Sequence, residues 1–197
     1  MPRPPRQLLD HGCYHLMARG NNRQRLFTKE AAFRYFLALL GQGKARYPAR
    51  LYHYCLMSNH IHLLLEIETG AHLPKFMQPV LQGYGRWCGK GQDYCGRVWP
   101  GRDKSPRIAR ESYYLEAGRD IERNPLRAKL VKELQESPWS SYGFYACGLP
   151  DALVDTDPYD AQLGQTTTAR QAAYRDFVRL ESPHTTILDT ELVEAPC

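Results

Sequence analysis

Two histidines separated by one residue, His60 and His62, are the clearest candidates for chemistry in this chain. They follow a Ser-Asn pair inside an apolar run, which predicts a tight turn leading into a strand. Side chains two residues apart on a strand point to the same face, so both imidazoles project together and Ile61 points to the opposite face. Two imidazoles on one rigid strand are two ligands for a divalent metal ion. The alternative is a pair of partly exposed histidines on a sheet.

A polar pair further along the chain suggests the remainder of such a site. Asp120 and Asn124 are four residues apart in a segment with helical periodicity, so they share one helix face. The amide oxygen of Asn124 would join His60 and His62 in a three-ligand site with open positions. That arrangement suits Mg²⁺ or Mn²⁺ bound to a phosphate oxygen. The alternative is that Asn124, which precedes Pro125, only caps a helix end.

The charge of the chain is unevenly distributed. The formal net charge is +5, yet residues 151–197 contain three basic and nine acidic residues, which leaves 23 basic and 12 acidic residues in residues 1–150. A basic body with interleaved aromatic residues favours a polyanionic partner, and it suits the stacking of unpaired bases above a phosphate-binding groove. The alternative is that the basic excess serves solubility alone.

The elements that position these residues follow from hydrophobic periodicity and turn signals. Strands are predicted at residues 12–19, 50–57, 61–67 and 97–99, and helices at 29–44, 73–87, 111–123, 126–134 and 166–180. This order predicts an α+β fold, a ferredoxin-like antiparallel sheet with helices on one face, plus a helical C-terminal tail. We therefore predict a DNA-binding and catalytic domain over residues 1–150. The acidic, partly helical tail over residues 151–197 is either a solvated appendage or folds back over the basic surface.

Other classes of protein are disfavoured by composition. The first residues lack the apolar region of a signal peptide, and no apolar run is long enough to span a membrane. Six cysteines are irregularly spaced and form no Cys-x-x-Cys pair. We therefore expect free thiols in a reducing cytoplasm and no membrane partner.

Several motifs together resemble a known family. The turn and histidine segment at residues 54–66, followed by Arg-Asp-Ile-Glu-Arg-Asn-Pro-Leu-Arg-Ala at residues 119–128, closely resembles the REP-associated tyrosine transposases. These proteins belong to the HUH single-strand transposases. The segments Met-Ala-Arg-Gly-Asn-Asn, Val-Trp-Pro-Gly-Arg and Trp-Ser-Ser-Tyr also fit this family. The resemblance covers roughly residues 8–148.

The resemblance implies a reaction on single-stranded or hairpin DNA. In this family a metal ion held by the two histidines, here His60 and His62, polarises a scissile phosphate, and a helix tyrosine attacks it to leave a 5′-phosphotyrosine link. Asn124 occupies the position of a polar helix residue near the metal. The implied cofactor is a divalent Mg or Mn cation. The DNA would be bound by a monomer or a homodimer.

The sequence departs from the family at the nucleophile. The tyrosine is expected five residues before the proline of the Asn-Pro motif, and that residue is Asp120. Aspartate is a poor substitute because an acyl phosphate is prone to hydrolysis. Asp120 would instead become a further metal ligand or disable strand transfer. Tyr113 lies seven residues earlier, about 10 Å up the helix axis, and its use as the nucleophile would require a shifted substrate.

Three functions therefore stay open. The chain is a transposase-like enzyme, a non-catalytic protein that binds DNA hairpins, or a metal-dependent nuclease in which water attacks. Each function requires contacts to base edges or phosphates, for which the sequence offers two basic and polar clusters. The candidate DNA-binding residues are Arg19, Asn21, Asn22, Arg23, Arg102, Lys104 and Arg107.

Overall fold

A three-stranded antiparallel sheet organises the chain. The computed structural model describes residues 8–91, 97–108 and 113–180. The strands are β1 (Gly12–Arg19), β2 (Ala49–Leu56) and β3 (His60–Ile67), in the spatial order β1-β3-β2. The helices in these ranges are α1 (Glu30–Arg46), α2 (His72–Gly91), α3 (Tyr114–Glu122), α4 (Asn124–Arg127), α5 (Tyr142–Cys147) and α6 (Thr167–Arg179). Within the same ranges, no helix combines the length and hydropathy needed to cross a bilayer.

The central strand β3 is apolar because both of its faces are covered. His62 lies opposite Met17 of β1 and Cys55 of β2. The alternation of side chains places Ile61 and Leu63 in the core beneath α1 and α2, on the face opposite His62. Near-continuous burial is expected for a strand with neighbours on both edges and helices on both faces.

Helices α1 and α2 form one layer on the sheet and run antiparallel to each other. Close approach between them depends on glycine, because a Cβ atom on Gly43 would lie 2.9 Å from the ring of Phe76. At a second contact between the same two helices, a Cβ atom on Gly83 would lie 3.1 Å from the side chain of Leu39. Larger residues at these positions would separate the helices and open the core.

Helix α3 covers the opposite face of the sheet. Its Ala117 and Ile121 pack with Cys55 and Leu64 in a second apolar cluster. The α+β, ferredoxin-like prediction is confirmed, and the layer of α1 and α2 lies on one face as expected. The structure adds α3 on the second face, which is the face that carries the histidines.

The predicted strand at residues 97–99 is wrong. Val98 and Trp99 are buried, and the indole N–H of Trp99 donates to the Leu81 carbonyl at 2.9 Å, so this apolar segment packs against α2 instead of pairing. The outer edge of β1 is occupied a few residues later. Met17 and Lys104 exchange two backbone hydrogen bonds of 2.8 Å each.

The predicted helix at residues 126–134 is also wrong. The helix α4 begins at Asn124 and ends at Arg127, and Lys129 adopts a left-handed conformation with φ of 54°. A left-handed residue interrupts the right-handed helix.

The predicted C-terminal helix is confirmed by α6. Thr166 caps this helix by accepting a 3.2 Å hydrogen bond from the Ala169 amide. Part of the predicted helix at 111–123 lies outside the described residues.

Residues 151–180 contact the rest of the molecule through a buried polar network. His53 lies 3.0 Å from a carboxylate oxygen of Glu122 on α3 and 3.3 Å from one of Asp157. Tyr174 of α6 donates to the second oxygen of Glu122 at 2.8 Å, and Ser141 donates to the first at 2.5 Å. The domain boundary near residue 150 stays a prediction, but this network joins α3, β2 and α6.

The charge of His53 is set by its two acidic neighbours. Burial would lower the pKa of this imidazole, but hydrogen bonds and attraction from Asp157 and Glu122 raise the pKa from 6.5 to about 9. The protonated imidazole therefore stabilises the folded state. That contribution is complete below pH 6.5 and is lost as the pH rises through 9.

We expect the free energy of unfolding to fall between pH 6.5 and 9 by an amount on the order of 3 kcal/mol through His53. Urea unfolding midpoints at pH 6 and pH 9.5 measure this fall, and His53→Gln should remove most of it. Tyr174→Phe is the matched control, because it deletes one hydrogen bond to Glu122 and leaves His53 in place. An equal fall in His53→Gln and the wild type would contradict the assignment.

Candidate active site

The two predicted histidines share the sheet face that α3 covers. His60 and His62 are at the start of β3, directly after the Ser58-Asn59 turn, and their ring centres are 5.0 Å apart. His60 is half-buried and His62 is buried. The sequence prediction that both imidazoles project together is therefore consistent with the geometry of β3.

A third histidine, His15 on β1, supports His62. Nε2 of His15 lies 3.0 Å from Nδ1 of His62, and Oδ1 of Asn59 lies 2.6 Å from Nδ1 of His60. When each Nδ1–H donates in these pairs, the Nε2 lone pairs of His60 and His62 are available to a cation. Partners of this kind fix the tautomer and orientation of histidine ligands in metal sites.

The histidines are held in the neutral form that can bind a cation. Burial lowers the pKa of His60 to about 4, with repulsion from Arg19 adding to the effect. Burial, with repulsion from Arg127, likewise lowers the pKa of His15 to about 4. Burial and then the neighbouring His15 lower the pKa of His62 well below 6.5. Neutral imidazoles surrounded by guanidinium groups suit a site that receives a metal ion together with an anion.

On α3, Asp120 is held by Arg127. The Arg127 guanidinium donates to the Asp120 carbonyl at 2.8 Å and lies 3.4 Å from its carboxylate. Asp120 is 8% exposed, so little of it is open to solvent. The same Arg127 is close enough to His15 and His62 to lower their pKa values. Arg127 therefore links the carboxylate on α3 to the histidines on the sheet.

The side chain of Asn124 caps the end of α3 through its N–H₂ group and not through its amide oxygen. Its side-chain N–H₂ group donates to the carbonyls of Asp120 and Ile121 at 3.1 and 3.0 Å. Both donor hydrogens are used, which leaves the amide oxygen as an acceptor or a metal ligand. The capping alternative is thus visible in the structure. The metal role of Asn124 stays a prediction.

The donor set fits a hard divalent cation only if oxygen ligands complete it. In the part of the chain that the structure describes, no three His, Cys, Asp or Glu residues form a cluster that could hold a metal ion. His60 and His62 supply two nitrogens, and Asn124 or a phosphate oxygen of a bound anion would supply the others. Mg²⁺ and Mn²⁺ accept such mixed sets with substrate oxygens.

The two tyrosines at the start of α3 differ in accessibility. Tyr113 is 44% exposed, whereas Tyr114 is buried against Tyr52 and Tyr159. Burial, with Cys13 nearby, raises the pKa of the Tyr114 phenol, so this group is a poor nucleophile. Tyr113 remains the accessible phenol of this helix and lies two turns from Asp120.

The candidate DNA-binding residues form two clusters, one next to His60 and one along the outer edge of β1, where Lys104 pairs with Met17 and Arg107 pairs with Tyr14. After Arg19 at the end of β1, residues Asn21–Arg23 form a 3-10 turn, and the Asn21 amide donates to the Val98 carbonyl at 2.9 Å. The loop that contains Val98 continues into the exposed second cluster. That cluster consists of Arg102, Lys104 and Arg107.

Two residues of this site were missed by sequence reasoning. His15 lies in the predicted first strand, but only the β1–β3 register shows that it reaches His62. Arg127 lies inside the motif at residues 119–128, where its neighbours in sequence give it no specific partner. The alternation of side chains along the predicted first strand was the only sequence signal that could have placed His15 on one face of the sheet. No sequence signal paired Arg127 with Asp120.

Comparisons with known proteins agree with this geometry. The family described as "Transposase IS200 like" matches residues 10–101. A solved REP-associated tyrosine transposase bound to a REP hairpin has a TM-score of 0.65 and 18% sequence identity, over 80% of this chain and 93% of that chain. A structure from Deinococcus radiodurans, described as a candidate transposase, has 17% identity over 69% of this chain and 98% of its own, with a TM-score of 0.42. No curated protein sequence is significantly similar.

The sheet, the helix on its histidine face and the family match over residues 10–101 all point to the transposase class. Residues 10–101 are similar to the IS200-like transposases, and the fold is similar to that of a REP-associated tyrosine transposase. The predicted resemblance to this family is therefore confirmed. The roles of the individual site residues stay predictions.

We expect His15→Phe to weaken Mn²⁺ binding about 10- to 100-fold, because the substitution removes the partner that orients His62 and keeps a ring in the core. Titration calorimetry with Mn²⁺ measures this loss. His72→Phe is the matched control, since His72 begins α2 on the other face of the sheet. Unchanged Mn²⁺ affinity in His15→Phe would show that the His15–His62 pair does not support a metal site.

Proposed function

We propose that this protein binds structured single-stranded DNA and a divalent Mg or Mn cation at the face formed by His60, His62 and α3. Support comes chiefly from the neutral pair of histidines, each with its Nδ1 engaged and its Nε2 free for a ligand. A metal ion bound there would polarise the scissile phosphate as a Lewis acid. The protein supplies the orientation of the ligands and the surrounding positive charge.

Two guanidinium groups make the face suitable for a phosphate. Arg19 is close enough to His60, and Arg127 to His62, to depress the pKa values of these imidazoles. The same positive charge would attract and orient a phosphodiester, since arginine pairs well with phosphate oxygens. The position of both groups at the histidine face supports a role in substrate binding.

A hairpin is the form of DNA that we propose as the partner. The REP-associated transposase with the same fold is bound to a REP hairpin. In this chain the Asn21–Arg23 turn accepts a 3.1 Å hydrogen bond from the Asn59 side chain, next to His60, where duplex or unpaired nucleotides near the reacting phosphate would lie. We expect tight, salt-sensitive binding, by a monomer or a homodimer, in a reducing cytoplasm that keeps Cys13, Cys55 and other cysteines as thiols.

The covalent step of a tyrosine transposase is, in our proposal, disabled by Asp120. The Asp120 carboxylate occupies the position of the family's phenol, is nearly buried and lies 3.4 Å from the Arg127 guanidinium. Such a group would hold a cation or Arg127 better than it would hold a DNA end. Strand transfer would then be absent, and DNA binding would remain.

A second candidate function is a nuclease in which water is the nucleophile. Its support is the Asp120 carboxylate on α3, the helix that covers the histidine face, because carboxylate oxygens are ligands that Mg²⁺ accepts. Water would attack the phosphorus and the DNA 3′-oxygen or 5′-oxygen would leave, with no bond to the protein. Metal-dependent nicking without a protein–DNA adduct would favour this function over binding alone.

We expect only Asp120→Tyr to form a covalent adduct with labelled hairpin DNA in Mg²⁺ or Mn²⁺, because this substitution restores a phenol at the site. A denaturing gel of wild type and variant measures it. Tyr113→Phe in the Asp120→Tyr background is the matched control and should leave the adduct unchanged.

An adduct on the wild-type protein would contradict the proposal that Asp120 disables the covalent step. If that adduct disappeared in Tyr113→Phe, the exposed phenol at the start of α3 would be the nucleophile. Absence of hairpin binding by the folded wild-type protein would overturn the DNA-binding proposal itself.

A further inference from the structure

The outer surface of the α1–α2 layer carries a groove that the histidine site does not use. The groove has a volume of about 410 Å³ and lies between the two antiparallel helices, on the side of the layer that faces solvent. Its floor is formed by Leu39, Phe76 and Val80. It is therefore separated from His60 and His62 by the sheet and one helix layer.

The charges of the two helices are concentrated in this α1–α2 groove. Together α1 and α2 contain a single acidic residue, Glu30, which pairs with Arg34 at 2.6 Å. Lys44 pairs with Asp155. The other basic residues of these helices all line the groove, and in the described part of the chain none of them forms an ion pair. They are Arg46, Lys75, Arg86 and Lys90.

Aromatic rings lie at both ends of this basic lining. Tyr35 and Trp87 stack with ring centres 5.2 Å apart and planes inclined by 19°, and both are half-buried. At the other end, the guanidinium of Arg46 lies 5.5 Å from the ring centre of Tyr47. Cations that follow a backbone, together with aromatic faces that accept bases, are the two features of sites for unpaired nucleic acid.

The groove is continuous with the surface beside the histidines. Arg86 also lines a second cavity of about 620 Å³, between α2 and the loop that contains Val98 and Arg102. That loop is hydrogen-bonded to Asn21, which follows Arg19 at the end of β1. A chain of basic side chains thus leads from the His60 end of the sheet, across α2, into the α1–α2 groove.

We propose that the α1–α2 groove binds single-stranded DNA that flanks the reacting phosphate. The inference rests on the proposed function and adds a second, distant contact to it. From Lys75 to Lys90 the helix rises about 22 Å, a length that several unpaired nucleotides would cover. Binding is sequence-tolerant, because phosphates and base faces are recognised and base edges are not.

The direct test compares a hairpin alone with the same hairpin carrying an unpaired extension of about 12 nucleotides on its 5′ or 3′ side. Fluorescence anisotropy over a range of salt gives the gain in affinity from the extension. The extension on one side should tighten wild-type binding. Arg86→Gln/Lys90→Gln should abolish this gain and reduce the salt slope for the extended DNA by roughly 1.4, at about 0.7 per lost contact.

The matched control is Arg34→Gln/Arg179→Gln, which removes the same charge from exposed positions outside the groove. It should keep the gain from the extension. A second variant at the far end, Lys75→Gln/Arg46→Gln, should reduce the gain from a 12-nucleotide extension to the gain that an extension of about four nucleotides gives. Thermal unfolding of each variant verifies that it is folded.

Two results would overturn this inference. One is an equal gain from the extension in Arg86→Gln/Lys90→Gln and in the control. The other is an equal gain from a fully paired extension, which would identify duplex DNA as the occupant. If the wild type fails to bind the hairpin at all, the proposed function fails instead. Binding of an unstructured oligonucleotide, weakened by Arg86→Gln/Lys90→Gln, would still support the groove in that case.

Discussion

The site depends on how closely α3 lies against the second face of the sheet. A Cβ atom on Gly118 would lie 2.5 Å from the His53 ring, so the absence of a side chain lets the helix approach β2. One turn later, the buried Glu122 carboxylate binds the same imidazole at 3.0 Å. A charged carboxylate is stable in the core only with such partners. The glycine contact and the ion pair together fix the position of Asp120 and Asn124 relative to the histidines.

The two-residue alternation of side chains along β3 then determines which residues face α3. Ile61 and Leu63 enter the core beneath α1 and α2, while His60 and His62 face the other helix. The second face combines an apolar cluster around Ile121 with a polar edge of neutral histidines and guanidinium groups. Apolar packing therefore holds the helix, and the polar edge is left for a cation and a phosphate. The α1–α2 layer on the far face extends the positive surface away from this edge.

Much of this arrangement follows from local sequence patterns, and the rest requires tertiary contacts. The β1 bounds and the shared orientation of His60 and His62 follow from alternation, which acts within one strand. The strand expected at residues 97–99 failed because Trp99 gains more from burial against α2 than from pairing. The partners His15 and Arg127 are distant in sequence from the groups they contact. Only the strand register and the helix position reveal them.

The central claim is that His60 and His62 bind a divalent cation beside a DNA phosphate. Anomalous X-ray scattering from crystals of the hairpin complex grown with Mn²⁺ tests it most directly. We expect a manganese peak within coordinating distance of both Nε2 atoms and of a phosphate oxygen. A complex with ordered DNA and manganese bound elsewhere, or with no manganese at the two imidazoles, would contradict it.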